Sequence, residues 1–354
     1  MSAKDTAIQE AQNRIRTNRS ESPDIKTWAE SVNKGKRESL ARAITLIESE
    51  KITDRPQAQE LLDEINLHNT ITNKSVRIGI TGIPGVGKST FIERLGLDLI
   101  KEGHMVAVLA VDPSSQRTGG SILGDKTRMD ELANHDNAFV RPSPASDALG
   151  GVARATMEAI ILCEAAGYDR IIVETVGVGQ SETSVREMVD VFTLLLIGGA
   201  GDEVQGIKRG IVEMADLVVV NKADGNNVST SEDTASAYRS ALHLFPMPKG
   251  GMPVTVFTAS STEGNGHDDV RRHFCKLTKE WQESGFWDEH RETQRINRMK
   301  EHTKQLLLEA QMSNNKSTVV WNDLESKVKS GKLTSFSAAW TWVNSNLGNN
   351  IEDR

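Results

Sequence analysis

Apolar residues come in short continuous runs through the middle of the chain and at helical spacing toward both ends. Seven runs read as strands: VRIGI (76–80), MVAVLAVD (105–112), AFVR (138–141), RIIVE (170–174), VFTLLLI (191–197), LVVV (217–220) and VTVFTA (254–259). A run that is apolar at nearly every position belongs to a strand covered on both faces. Helical segments fit between most of these runs. The pattern therefore predicts an α/β fold with a mostly parallel sheet and helices on both faces. Ahead of it, Ile25 to Glu50 reads as helical, with Trp28, Val32, Leu40, Ala43, Ile44 and Ile47 on one face. A second helix is expected from about Pro56 to Leu67. From about Val270 the chain reads as helical to its end, with breaks near Ser313–Ser317 and Ser330–Thr334. Residues 1–25 are polar and read as a flexible lead-in. The expected organisation is this lead-in, an N-terminal helical arm (26–72), a central domain (73–285) and a C-terminal helical arm (286–354).

Ligands of such sheets sit at the carboxyl ends of the strands, so the loops after strands carry the chemistry. After the first strand comes Gly82-Ile83-Pro84-Gly85-Val86-Gly87-Lys88-Ser89, which fits G-x-x-x-x-G-K-[ST] between a strand and a helix. The glycines let backbone N–H groups turn around phosphate oxygens, and the helix N-terminus adds a favourable dipole. The P-loop residues Gly82, Pro84, Gly85, Val86, Gly87, Lys88, Ser89 and Thr90 are the expected nucleotide contacts. Lys88 should reach the β/γ-phosphates, and Ser89 Oγ should bind Mg²⁺.

Asp112 ends the second strand run, where Mg²⁺ or a phosphate network would compensate a buried carboxylate. A turn aspartate is the alternative, since Asp-Pro-Ser-Ser is good turn chemistry. Asp125, farther along, has little support from spacing alone. After RIIVE, Glu174-Thr175-Val176-Gly177 stands where many GTPases carry Asp-x-x-Gly. The Glu174 carboxylate is placed to hold Mg²⁺, and the Gly177 N–H to sense a γ-phosphate. Val178 occupies the position at which Ras-like GTPases place a water-orienting glutamine. A valine cannot polarise water, so slow basal hydrolysis is expected. Gln180 is a candidate substitute or an ordinary polar loop residue. The loop from Gly198 to Gly210 is glycine-rich and charged. In it Lys208 or Arg209 either approaches phosphates or a partner, or is simply solvated.

Asn221-Lys222-Ala223-Asp224 follows LVVV and fits N-K-x-D. A carboxylate there can accept from guanine N1–H and the 2-amino group, and adenine offers neither in that geometry. Thr258-Ala259-Ser260 can supply a backbone N–H to guanine O6, with Ala259 as the candidate. GTP/GDP with Mg²⁺ is therefore the expected ligand set.

Composition narrows the rest. The chain has 354 residues, 42 Lys+Arg against 49 Asp+Glu, and a net charge of −7. That balance, without a basic block, argues against nucleic acid and membrane-surface partners. No apolar run approaches the roughly 18 residues of a membrane span. The N-terminus resembles neither a secretory signal nor a transit peptide, so a cytoplasmic protein is expected. Two cysteines, Cys163 and Cys275, give no disulfide framework and read as buried or incidental. His267-Asp268-Asp269 reads as a helix start rather than a metal cluster. The five tryptophans after residue 280, with Phe286, read as packing residues within the chain or across an oligomer interface.

Taken with GIPGVGKST (82–90), the segments VDPSSQRTGGSILGDKTRM (111–129), GGVARATMEAIILCEAAGYDRIIVETVGVGQSE (150–182), GGAGDEVQGIKRGI (198–211) and NKADG (221–225) resemble the MeaB/ArgK family. These are P-loop GTPases of the SIMIBI class, related to the methylmalonic aciduria type A protein. The resemblance implies a homodimeric, GTP-hydrolysing chaperone of an adenosylcobalamin-dependent acyl-CoA mutase. Such a chaperone gates cofactor loading and protects or reactivates the mutase. It also implies that Ser89, Asp112, Asp125 and Glu174 surround Mg²⁺ and that Lys208 couples the mutase to hydrolysis. Lys88, Glu174, Lys208 and Gln180 then form the candidate catalytic set, and the C-terminal arm is the expected dimerisation element. Competing readings are a metallochaperone GTPase for a nickel enzyme and a kinase using the same phosphate loop.

Overall fold

A computed structural model describes residues 24–49, 51–68, 75–111, 129–142, 149–175, 181–199, 209–312 and 315–347. Most of the expected lead-in lies outside the described residues. So do Asp112, Asp125, Gly177, Val178, Gln180 and Lys208.

Seven parallel strands form one sheet: β1 (Val76–Gly82), β2 (Val106–Val111), β3 (Ala138–Pro142), β4 (Arg170–Thr175), β5 (Val191–Ile197), β6 (Leu217–Asn221) and β7 (Thr255–Thr258). Their order is β3-β2-β4-β1-β5-β6-β7. Every expected strand is present, with ends within a residue or two of the apolar run that encoded it. Successive side chains alternate faces. Ile171, Val173, Val218 and Val220 join one core, and Ile172, Leu217 and Val219 join the other. Both faces are dry, which is why the strands read as continuous apolar runs.

On the first face lie α1 (Ile25–Asn33), α2 (Arg37–Ile47), α3 (Arg55–His68) and α6 (Leu149–Ala165). Trp28, Val32, Leu40, Ala43, Ile44 and Ile47 are all buried there, as their spacing predicts. The single helix expected over 25–50 is two helices. Gly35 adopts φ +73° between them, and its N–H donates to Val32 O at 2.8 Å. A left-handed glycine of this kind terminates a helix. The second face carries α4 (Lys88–Lys101) and α10 (His267–Ser284), through Phe91, Ile92, Leu95, Phe274 and Leu277. His267 starts α10, and Asp268 and Asp269 occupy its first turn, bonded to Arg271 and Arg272. The helix between β3 and its predecessor is α5 (Asp130–Ala133), and α7 (Ser181–Arg186), α8 (Arg209–Met214) and α9 (Val228–Leu242) complete the connections.

The amino ends of three strands are fastened in one way. Asp169, Asp190 and Asp216 stand immediately before β4, β5 and β6. Each accepts a backbone N–H from the neighbouring strand's start: Met105 at 2.9 Å, Arg77 at 2.8 Å and Phe192 at 2.8 Å. Arg77 in turn makes a two-pronged pair with Glu164 of α6, both bonds 2.8 Å.

The chain divides into two compact units, Met1–Asp288 and Glu289–Arg354, the division falling inside α11 (Phe286–Met312). Gly285 separates α10 from α11 where the C-terminal arm was expected to begin, although no interruption of the helix was expected there. In the second unit α12 (Asn315–Lys329) and α13 (Ser335–Leu347) pack through Leu324, Ala338 and Trp342. Trp321 meets Trp342 edge-on at 5.3 Å. Trp340 stacks on Phe336 and stays half-exposed.

Candidate nucleotide site

The carboxyl end of the central strand β1 runs into the phosphate loop. A Cβ at Gly82 would lie 2.6 Å from Leu195 O, so no side chain fits against β5. Gly87 takes φ +94° at the start of α4, and a Cβ there would lie 2.8 Å from Asn221 Nδ2. Both glycines are thus required by close approach as well as by loop shape. Val86 is fully buried and anchors the loop in the core, while Pro84 and Gly85 are exposed at its tip. The first bond of α4 runs from Phe91 N–H to Gly87 O, 2.9 Å, and no side chain caps the helix. The N–H groups of Lys88, Ser89 and Thr90 precede that bond, the geometry that receives an anion.

Lys88 curls back over the loop. Its Nζ donates to Gly82 O at 2.8 Å and to Ile83 O at 3.2 Å. Burial pushes its ammonium below the ordinary lysine value, and the nearby Glu174 carboxylate partly opposes this. Glu174 is the penultimate residue of β4, in register with Ile80 of β1 and Ala110 of β2. It is buried and lies within reach of Ser89, whose Oγ donates to Glu174 Oε1 at 3.4 Å. Below them Thr175 Oγ1 donates to Thr81 Oγ1 at 2.8 Å, tying β4 to β1. Two hard oxygen donors, a hydroxyl and a carboxylate, therefore meet beside the phosphate loop, a donor pair that suits Mg²⁺. Among the described residues no group of three or more His, Cys, Asp or Glu gathers as a metal cage.

The N-K-x-D segment closes the other side. Asn221, the last residue of β6, is buried, and its Nδ2 donates to Val86 O at 2.9 Å. Lys222 Nζ donates to Gly85 O at 2.8 Å. Among the described residues Lys222 is the one non-glycine residue with positive φ, +61°, a conformation that costs about 1 kcal/mol for a residue bearing a Cβ. Such strain concentrates where geometry serves a site. Asp224 carries a cluster of hydroxyls: Ser260 Oγ donates to its Oδ2 at 2.6 Å and Thr262 Oγ1 at 3.1 Å. Ser261 Oγ donates to Asn221 Oδ1 at 2.8 Å.

One expected contact is corrected. The Ala259 N–H donates to Val220 O at 2.9 Å, and the Ser260 N–H to Asn265 O at 2.9 Å. Both are spent inside the protein, so neither is available to a base. The next residue, Ser261, is half-buried beside Asn221. The hydroxyl run Ser260-Ser261-Thr262 went unread in the sequence. Its signal was three consecutive hydroxyl residues directly after the last strand.

A parallel sheet with a phosphate loop on its central strand, wired by Asn221 and Lys222 to an N-K-x-D turn two strands away, is the architecture of a P-loop GTPase. Residues 40–316 match the family described as Methylmalonyl Co-A mutase-associated GTPase MeaB, and the chain belongs to it. A probable GTPase of Mycobacterium tuberculosis is 48% identical over 320 residues, covering 88% of this chain and 92% of that protein. The GTPase ArgK of Escherichia coli is 45% identical over 285 residues, 80% and 85% of the two chains. The mitochondrial methylmalonic aciduria type A homolog of Mus musculus is 51% identical over 240 residues, 66% of this chain and 58% of that one. Among solved structures, a LAO/AO transport system kinase superposes with a TM-score of 0.69 at 34% identity, covering 90% of this chain and 96% of that one. No helix among the described residues is long and apolar enough to cross a membrane.

Proposed function

We propose that this GTPase is the chaperone of an adenosylcobalamin-dependent acyl-CoA mutase, gating cofactor loading and protecting or reactivating the mutase. The observation that carries the reading is the match of residues 40–316 to a family described by its association with methylmalonyl-CoA mutase. In this reading Lys88 and the first N–H groups of α4 hold the β/γ-phosphates of GTP. Asp224 reads the guanine edge, and Ser261, rather than Ala259, offers the N–H to guanine O6. Ser89 and Glu174, with Asp112 and Asp125, hold Mg²⁺, which supplies neutralisation of charge at the β/γ-phosphate oxygens.

Val178 stands directly after Gly177 and offers no group to orient water. Hydrolysis by the free protein is therefore slow, and a partner completes the site, with Lys208 and Gln180 as the chain's own candidates for that coupling. A switch timed by its partner suits a chaperone better than a fast NTPase.

A homodimer fits the second unit. Ile296, Met299, Thr303, Leu306 and Ala310 of α11 are exposed and fall at the a and d positions of a heptad. That is the seam along which a second helix packs. Light scattering on the full chain should give twice the chain mass, and a monomer mass would remove this element.

The test of the main proposal is GTP turnover with and without each cobalamin-dependent mutase of the native cell. Stimulation by one of them is expected. Identical rates with all of them would sink the assignment.

A further inference from the structure

The Asp224 carboxylate is a rotor. The last torsion of an aspartate is broad and roughly twofold, so nothing intrinsic to the side chain fixes its plane. Here the plane is fixed from outside. Oδ2 accepts Ser260 Oγ at 2.6 Å, and Thr262 Oγ1 lies 3.1 Å from that oxygen and 3.1 Å from Ser260 Oγ. Ser260 also accepts the Glu263 N–H at 3.1 Å and is fully buried, so it builds the turn as well. Thr262 is exposed, and among the described residues its hydroxyl touches Asp224 and Ser260 alone. Its hydroxyl therefore acts on the carboxylate and on little else.

We infer that Thr262 is a positioning residue that sets guanine specificity by locking the plane of the Asp224 carboxylate. The inference rests on the guanine-reading role given to Asp224 above. Guanine presents two donors in one plane, N1–H and the 2-amino group, and hypoxanthine presents N1–H only. A two-donor edge demands a coplanar acceptor, while a single donor tolerates tilt. Loosening the carboxylate thus weakens guanine more than hypoxanthine. A general loss of structure would weaken both alike.

The experiment is calorimetric titration of the full chain with GDP, IDP and ADP, for the wild type, Thr262→Val and Thr262→Ser. The wild type is expected to favour GDP over both others. Thr262→Val should cut the GDP/IDP affinity ratio about fivefold, the worth of one net hydrogen bond. Thr262→Ser, which keeps the hydroxyl, should restore it. An unchanged ratio, or equal loss for GDP and IDP, overturns the positioning role and leaves the guanine reading standing. ADP bound by the wild type as tightly as GDP overturns the guanine reading itself, and this inference with it.

Discussion

At the amino ends of β4, β5 and β6 the acidic groups accept backbone N–H bonds; Glu174 near the carboxyl end of β4 and Asp224 after β6 accept hydroxyls. Asp190 and Asp216 are buried and hold the first rungs of neighbouring strands, with arginines nearby. Glu174 and Asp224 accept from Ser89, Ser260 and Thr262, whose hydroxyls rotate. A backbone amide cannot leave its carboxylate without unpairing the strand. A hydroxyl can turn without disturbing the sheet, and it leaves the carboxylate's remaining lone pairs open to a ligand. One side chain type thus does two jobs, and the donor opposite it decides which.

The largest effect expected from breaking this contrast is on the functional end. Lys88→Ala should lower phosphate release at least about a hundredfold, the scale of one lost electrostatic contact to a reacting group, while thermal unfolding barely moves. Full turnover in that variant would remove Lys88 from the machinery. At the other end, Asp190→Ala strands the buried Arg77 N–H. The expected cost is about 2 kcal/mol, a fall in melting temperature of roughly 4–8 °C for a unit of this size, with nucleotide affinity unchanged at temperatures where the variant is folded. Differential scanning fluorimetry reads the first and calorimetry the second; unaltered melting would contradict the stapling role.

The smallest effect sharpens the comparison through pH. Burial raises the Asp216 carboxyl to about 6, with the Arg186 charge and the Phe192 N–H pulling the other way. The folded protein therefore binds this proton more tightly than the unfolded chain does. The resulting contribution to stability is fully present below about pH 4 and is lost as pH rises through about 6. Asp216→Asn has no such titration. Relative to the wild type, its stability in urea melts should improve by about 1 kcal/mol between pH 5 and pH 7. A constant difference across that range would show that the group does not titrate there.

The sheet was legible because buried parallel strands must be apolar on both faces, and most such runs ended at a polar residue or a glycine. The phosphate loop and N-K-x-D were legible because close backbone approach admits few residue types. Gly35 was legible in principle: the apolar stripe jumps from Val32 to Leu40, and the glycine stands in that gap. The stapling aspartates were not read, although Asp169, Asp190 and Asp216 recur at the same place, one residue before a strand. Their partners lie 113 residues away for Asp190 and 24 for Asp216, so the pairing exists only once the strand order is known. The Ala259 assignment failed for a related reason. Which N–H the sheet consumes depends on where β7 stops pairing with β6, and composition does not mark that point.

Asn221 and Lys222 hold the carbonyls of Val86 and Gly85. This couples two recognition events that a list of contacts would keep separate. In the proposed reading, a base that orders the N-K-x-D turn would also order the loop assigned to phosphate, and such a dependence is reciprocal by thermodynamic necessity. Guanosine and pyrophosphate offered as separate molecules should therefore favour each other's binding, and the two halves of GTP speak to one another through the protein as well as through the ribose that joins them.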